Sequence, residues 1–248
     1  MEKTDCIIFE EVGKKYGDFT ALQNISFEIP KHSIVGLIGA NGSGKTTLIK
    51  CMLARFRDFT GKISIFGADN SQVEQTDFIF SFIPDTPILY EELTLREHLE
   101  FISKMYHSES RVDELIQVFE LKEQLDKFPH ELSKGNRQKL SICTALLREY
   151  QLLISDEPFT GLDPIQINTF KRILSALKDA EKTILVSTHL LNLIEDLCDY
   201  FVMLDHGEIL QWGKVSNFLC ESSKYKSLED LYLSLTKNKE GKGDNKNE

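Results

Sequence analysis

The chain has 248 residues, 41% of them hydrophobic and 27% charged, with a formal net charge of −10. That length supports one large domain or a domain with a subdomain, and the balance is that of a globular protein. The acidic balance argues against a protein that coats nucleic acid, and no apolar run approaches the roughly 18 residues of a transmembrane helix. Met1-Glu2-Lys3-Thr4-Asp5 lacks the basic start and apolar core of a secretory leader, so none is predicted. Cys6, Cys51, Cys143, Cys198 and Cys220 are scattered, with no C-x-x-C pair. They are expected to be small apolar residues of a protein in a reducing compartment.

Residues 5–12 and 23–30 read as strands around a turn, Gly13-Lys14-Lys15-Tyr16-Gly17-Asp18. A short apolar strand, 33–38, leads into Gly39-Ala40-Asn41-Gly42-Ser43-Gly44-Lys45-Thr46-Thr47, and a helix follows from Leu48 to Arg55. Strand, glycine-rich loop and helix form the context of a phosphate-binding P-loop. Its glycines let successive N–H groups converge on one anion, and the helix adds the positive end of its dipole. Gly39, Asn41, Gly42, Ser43, Gly44 and Thr47 are therefore candidate phosphate contacts. Lys45 supplies a charge for the β- and γ-phosphates, and the Thr46 hydroxyl is a candidate Mg²⁺ ligand. The chain is expected to bind a nucleoside triphosphate.

Lys62–Phe66 and Ile79–Ile83 are further short strands, and from about 90 to 149 the pattern turns helical. Thr94-Leu95-Arg96-Glu97 is a capping box, followed by Leu95, Leu99, Ile102 and Tyr106 at helical spacing. Ser133 is placed to cap a helix running to about Arg148. Apolar strands return at Leu152–Ser155 and Thr183–Val186, with a helix between them capped by Asp163 and started by Pro164. Tyr200–Leu204 and Glu208–Gln211 form a closing pair around Asp205-His206-Gly207, then a short amphipathic helix spans 227–236. Lys237 to Glu248 are polar and expected to be disordered. No internal repeat is evident. The predicted organisation is a domain over 1–222, with a helical insertion at about 85–150, and a C-terminal helix and tail over 223–248.

The strand at 152–155 runs into Asp156 and Glu157. A strand-end Asp is the usual second metal anchor of a P-loop site, so Asp156 joins Thr46 as a metal candidate. Glu157 points elsewhere and is the candidate that polarises the attacking water.

Leu132-Ser133-Lys134-Gly135-Asn136-Arg137-Gln138 resembles the signature motif of ATP-binding cassette (ABC) ATPases, with Lys134 and Asn136 in place of the commonest Gly and Gln. Asp156-Glu157-Pro158 looks like that family's Walker B end, Gly161-Leu162-Asp163-Pro164 like its D-loop, and Ser187-Thr188-His189 like its switch histidine. Tyr16 stands where the adenine-stacking aromatic does, although Phe19 is a neighbouring alternative. The resemblance covers residues 5 to about 220. It implies an α/β fold: a RecA-like P-loop NTPase core with an N-terminal antiparallel β-subdomain and an inserted α-helical subdomain. It implies ATP and Mg²⁺ as ligands and a head-to-tail dimer, with itself or a paralogous ATPase subunit. In that dimer Ser133 and Gly135 of one copy cap the γ-phosphate held by the other, and Asp163 and His189 also face nucleotide. The plainer alternative for Ser133 is an ordinary helix cap.

One position departs from the family pattern. Asp85, in Phe82-Ile83-Pro84-Asp85-Thr86-Pro87, stands where the family usually has a Gln that reaches Mg²⁺ and the lytic water. A carboxylate there either reaches the metal, directly or through water, or only shapes the proline-flanked turn. The segment Pro84 to Thr94 looks like those of bacterial ABC-2-type exporter ATPases. The function the resemblance implies is an ATP-hydrolysing transporter subunit, peripheral on the cytoplasmic face of the cell membrane, that drives a separate integral-membrane permease. No nucleic-acid partner is expected. The rival is a soluble ABC ATPase acting as an ATP-gated clamp or switch.

Overall fold

The structure, a computed structural model, describes residues 5–70, 80–220 and 223–243. In chain order the strands and helices are β1 Asp5–Tyr16, β2 Phe19–Pro30, β3 Ile34–Ile38, α1 Lys45–Met52, β4 Thr60–Ile65, β5 Ala68–Asp69 and β6 Phe80–Ile83. Then come α2 Leu95–Tyr106, α3 Val112–Val118, α4 Lys134–Leu146, β7 Leu152–Asp156, α5 Pro164–Asp179 and β8 Thr183–Thr188. The chain closes with α6 Leu191–Leu197, β9 Tyr200–Asp205, β10 Glu208–Lys214, α7 Val215–Phe218 and α8 Leu228–Gly243. It divides into two units, residues 1–74 with 187–248, and residues 75–186.

In the first unit an antiparallel sheet has the order β2-β1-β4-β5. This is the expected N-terminal β-subdomain, built by alternating inward residues such as Ile7, Phe9, Ile25, Phe27, Ile63 and Ile65, all nearly fully buried. The turn expected over 13–18 shrinks to Gly17-Asp18, because β1 continues through Tyr16. Register shifts around Val12 and Lys14 interrupt the period-two alternation that marks a strand in sequence. Lys14 is only 3% exposed. Its ammonium pairs with the Asp58 carboxylate at 2.5 Å and lies about 5 Å from the ring centres of Tyr16 and Phe56.

The same unit holds β3, parallel to β9, which pairs antiparallel with β10. Every residue of β3 is buried, as its unbroken apolar sequence requires. A reciprocal clamp ties its base: the Ile34 N–H donates to the Asp199 carboxylate at 2.9 Å, and the Asp199 N–H to the Ile34 carbonyl at 2.8 Å. α1 buries Leu48, Ile49, Cys51 and Met52. Asn70 donates to the Cys51 carbonyl at 2.9 Å, a second donor beside the Ala54 N–H at 3.1 Å. Burial raises the Cys51 thiol to about 11, so it is an inert core group. α8 runs to Gly243, carrying helix into the stretch expected to be disordered; 244–248 lie outside the described residues.

In the second unit β6 and β7 are parallel, in register from Phe80 opposite Leu152 to Ile83 opposite Ser155, and β8 lies on the other side of β7. Ile79, expected to start β6, lies outside the described residues. Helices α2, α3 and α4 separate β6 from β7 in the sequence, as the expected helical insertion. α2 starts on the expected capping box: the Thr94 N–H donates to Glu97 Oε2 at 2.8 Å and the Glu97 N–H to Thr94 Oγ1 at 3.3 Å. The Thr94 amide, then its hydroxyl, holds the Glu97 carboxyl below the usual range. Ahead of α2, residues 84–93 are irregular, and a buried histidine organises them. His98 Nε2 accepts the Tyr90 N–H at 2.8 Å. The ring proton therefore sits on Nδ1, which donates to the Thr94 carbonyl at 2.9 Å.

Candidate functional site

In the first unit the loop after β3 has the geometry of an anion cradle. Gly42 and Gly44 have φ of 81° and 109°, a region that side-chain-bearing residues rarely enter. Gly39 is needed for space: a Cβ there would stand 2.3 Å from Ser43 Oγ and 2.5 Å from the Leu204 carbonyl. Gly44 is the N-cap of α1 with no side-chain cap, so the first N–H groups of that helix have no side-chain acceptor at the cap. Lys45 is 6% exposed, and its ammonium donates to the Gly39 carbonyl at 2.7 Å and the Ala40 carbonyl at 3.3 Å. The cation thus bridges the start of the loop. Ser43 Oγ is buried with no hydrogen-bond partner among the described residues, as expected of a polar group kept for a ligand. Asn41, Gly42 and Thr46 are exposed and Thr47 half-buried.

A hairpin holds the loop from outside. The Gly207 N–H donates to the Ser43 carbonyl at 3.0 Å, and the Gly207 carbonyl accepts the Gln23 N–H at 2.8 Å. His189 follows the last residue of β8 and is exposed. It lines a pocket of about 340 Å³ with Ile38, Gly39, Ala40, Asn41 and Tyr232. Tyr232, from α8, escaped the sequence reading because nothing near it in the chain marks it.

Tyr16 is 43% exposed and packs edge-on against Phe56, ring centres 5.8 Å apart, with the Lys14 ammonium beside both. Phe19 is 65% exposed. Tyr16 therefore offers a braced ring at the end of β1.

In the second unit Asp156 ends β7 at 2% exposure. Glu157 follows with a φ of 47°, a left-handed conformation uncommon for a residue with a side chain. That left-handed step coincides with the end of the strand at Asp156. Ser133 is the N-cap of α4, its hydroxyl accepting the Asn136 N–H at 3.2 Å, and it is exposed. Two contacts tie the start of α4 to the segment after Glu157. A Cβ on Gly135 would meet the Gly161 carbonyl at 2.6 Å, and Gln138 donates to the Pro158 carbonyl at 3.1 Å. Gln138 closes the signature-like run, and its bond to Pro158 is made by a partner 20 residues away. Asp163 caps α5 by accepting the Gln166 N–H at 2.9 Å. Asp85 is exposed in a bend.

Residues 22–160 match the family model described as ABC transporter. The chain is 39% identical over 229 residues to the ABC-type transporter ATP-binding protein EcsA of Bacillus subtilis, covering 89% of this chain and 92% of that protein. It is 34% identical to the bacitracin transport ATP-binding protein BcrA of Enterococcus faecalis, over 87% of this chain and 71% of that one. Among solved structures, an ATP-binding subunit of an ABC transporter superposes with a TM-score of 0.84 at 36% identity, covering 93% of this chain and 99% of the other. A bacterial Atm1-family ABC exporter with ATP bound shares the fold at a TM-score of 0.80 and 23% identity, over 94% of this chain and 42% of the other. Residue pattern, cradle geometry and these likenesses converge: the chain belongs to the ABC transporter family, as an ATP-binding subunit with ATPase activity.

Proposed function

We propose that this subunit powers a separate membrane permease, in the direction of export, by closing head-to-tail on two ATP molecules and reopening after hydrolysis. The Gly39–Thr47 loop and Lys45 hold the phosphates, and Tyr16 stacks the base. Thr46 offers a hydroxyl and Asp156 a carboxylate, hard oxygen donors of the kind Mg²⁺ prefers. Mg²⁺ bound with the triphosphate would neutralise phosphate charge. Glu157 accepts the proton of the attacking water, and His189 steadies the γ-phosphate. Ser133 and Gly135 of the second copy cap that phosphate, with Asp163 beside them. Asp85, exposed in its bend, would be a further oxygen donor for the ion. Export is supported by the resemblance of Pro84–Thr94 to exporter subunits.

The observation that carries the membrane partner is an exposed apolar patch in the second unit. Ile88 is 76% exposed and Tyr90 54%, while Phe82, Leu89 and Leu93 are half-buried. α2 adds Phe101, in edge contact with Tyr90 at 5.7 Å, and Met105 one turn on, 43% and 51% exposed. Clustered large apolar side chains in water mark an interaction surface. The His98 hydrogen bond fixes Tyr90 in place, so the patch is preformed. The proposed occupant is the permease's cytoplasmic coupling helix.

Ile88→Asp and Tyr90→Glu are expected to leave the ATPase rate of the isolated subunit within about twofold, because surface substitutions away from special features are nearly neutral. Recovery of the subunit with membranes should fall at least about tenfold, as for truncation of an interface anchor. Full activity in cells with no membrane-bound partner in a pull-down would overturn the transporter reading and favour a soluble clamp.

A further inference from the structure

We propose that α8 is a working part of the nucleotide site, and that Tyr232 is a positioning residue for the start of the P-loop. The inference rests on the ATP-binding reading of that loop and adds an element that no motif marks.

α8 is fastened to its own unit. The Leu228 N–H donates to the Glu195 carboxylate of α6 at 2.6 Å, and the Asp230 N–H to Ser227 Oγ at 3.0 Å. Leu228 and Leu231 are 0% and 2% exposed. A helix anchored at two buried leucines has little freedom to rotate, so the residue after Leu231 has a fixed direction. That residue, Tyr232, lines the pocket shared by Gly39, Ala40, Asn41 and His189. Burial and the nearby Asp205 carboxylate raise its phenol pKa, while the Ala40 amide facing the oxygen pulls the other way. The phenol is therefore neutral at physiological pH, a polar tip on a rigid apolar ring.

The start of the loop is confined on two sides. Behind Gly39 stand the Leu204 carbonyl and Ser43, too close for any side chain. On the pocket side stands Tyr232, which lines that pocket together with His189. The ring limits where Ala40 and Asn41 can move on that side. A binding loop holds its ligand well only when its own supports keep it in the productive geometry, so a wall at this point affects affinity for the triphosphate.

The test uses the full chain, with Tyr232→Phe and Tyr232→Ala. Three quantities are read: the dissociation constant of a fluorescent ATP analogue, KM and kcat for ATP, and the melting temperature. Tyr232→Ala is expected to raise the dissociation constant and KM about tenfold, with kcat within about twofold. Tyr232→Phe keeps the ring and should fall between Ala and wild type, with wild-type melting. A purely structural role would lower melting temperature and leave KM alone, and that outcome overturns the proposal. Should Tyr232→Ala not fold, Tyr232→Phe and Tyr232→Leu decide: wild-type affinity in both overturns it. Wild-type protein that binds no ATP analogue would instead overturn the ATP-binding reading itself, and Tyr232's role with it.

Discussion

Glu157→Gln is expected to keep ATP binding and to remove nearly all hydrolysis, a fall of at least about 10²-fold. An amide has the size and shape of the carboxylate but cannot accept the proton of the attacking water. The substitution carries little structural penalty, because the left-handed backbone at Glu157 is borne equally by Gln. With hydrolysis blocked, the ATP at the proposed interface is no longer consumed, and the head-to-tail dimer should persist. Gel filtration with Mg-ATP checks this: the variant should elute as a dimer and return to monomer when nucleotide is removed. Hydrolysis at the wild-type rate would remove Glu157 from the chemistry. A variant that never dimerises would remove ATP from the interface.

Ser133→Arg and Lys45→Ala should fail in different ways. Lys45→Ala removes a cation that already bridges the Gly39 and Ala40 carbonyls, so it loses a phosphate partner and loosens the loop. A hydrogen bond to a charged group contributes about 1.5–3 kcal/mol, so ATP affinity of the monomer should fall about tenfold or more. Ser133→Arg leaves that loop untouched. It places a bulky cation at the exposed start of α4, where it would block the phosphate of the facing copy. Activity should be lost with monomer affinity nearly intact. The change also removes the Asn136 cap and sets a positive charge at a helix N-terminus, costing about 1 kcal/mol of stability. Ser133→Ala separates the effects, since it loses the cap without adding the cation. If Ser133→Arg lost nucleotide affinity as severely as Lys45→Ala, Ser133 would belong to the folding core or to its own copy's pocket.

What could be read from the chain alone was whatever lies in short contiguous runs. The P-loop is one nine-residue stretch whose glycines, lysine and threonine act through local backbone geometry. The Thr94 box and the Asp163 and Ser133 caps depend on residues three apart, and each is present where the spacing put it. Features made by distant partners were not visible. Lys14 looks like a turn lysine until Phe56 and Asp58 are brought to it. His98 looks like one more polar helix residue until its ring meets the Tyr90 amide. Phe101 and Met105 fall off the apolar stripe of α2 read from Leu95, Leu99, Ile102 and Tyr106, and only their exposure beside Tyr90 gives them meaning. The end of β1 is not legible in the sequence, because its bulges break the alternation by which a strand is recognised.

The turn at His206-Gly207 has a practical bearing on where a label can be attached. His206 is almost fully exposed, and the two-residue turn resembles any surface hairpin suited to a fluorophore or an inserted epitope. Yet Gly207 is bonded to both Gln23 and Ser43, and a Cβ on it would stand 2.5 Å from the Ala21 carbonyl. A tag inserted there would pull on the P-loop through the Ser43 carbonyl. The Phe66-Gly67 turn between β4 and β5 is the safer choice, because a Cβ on Gly67 has no neighbour within 4 Å.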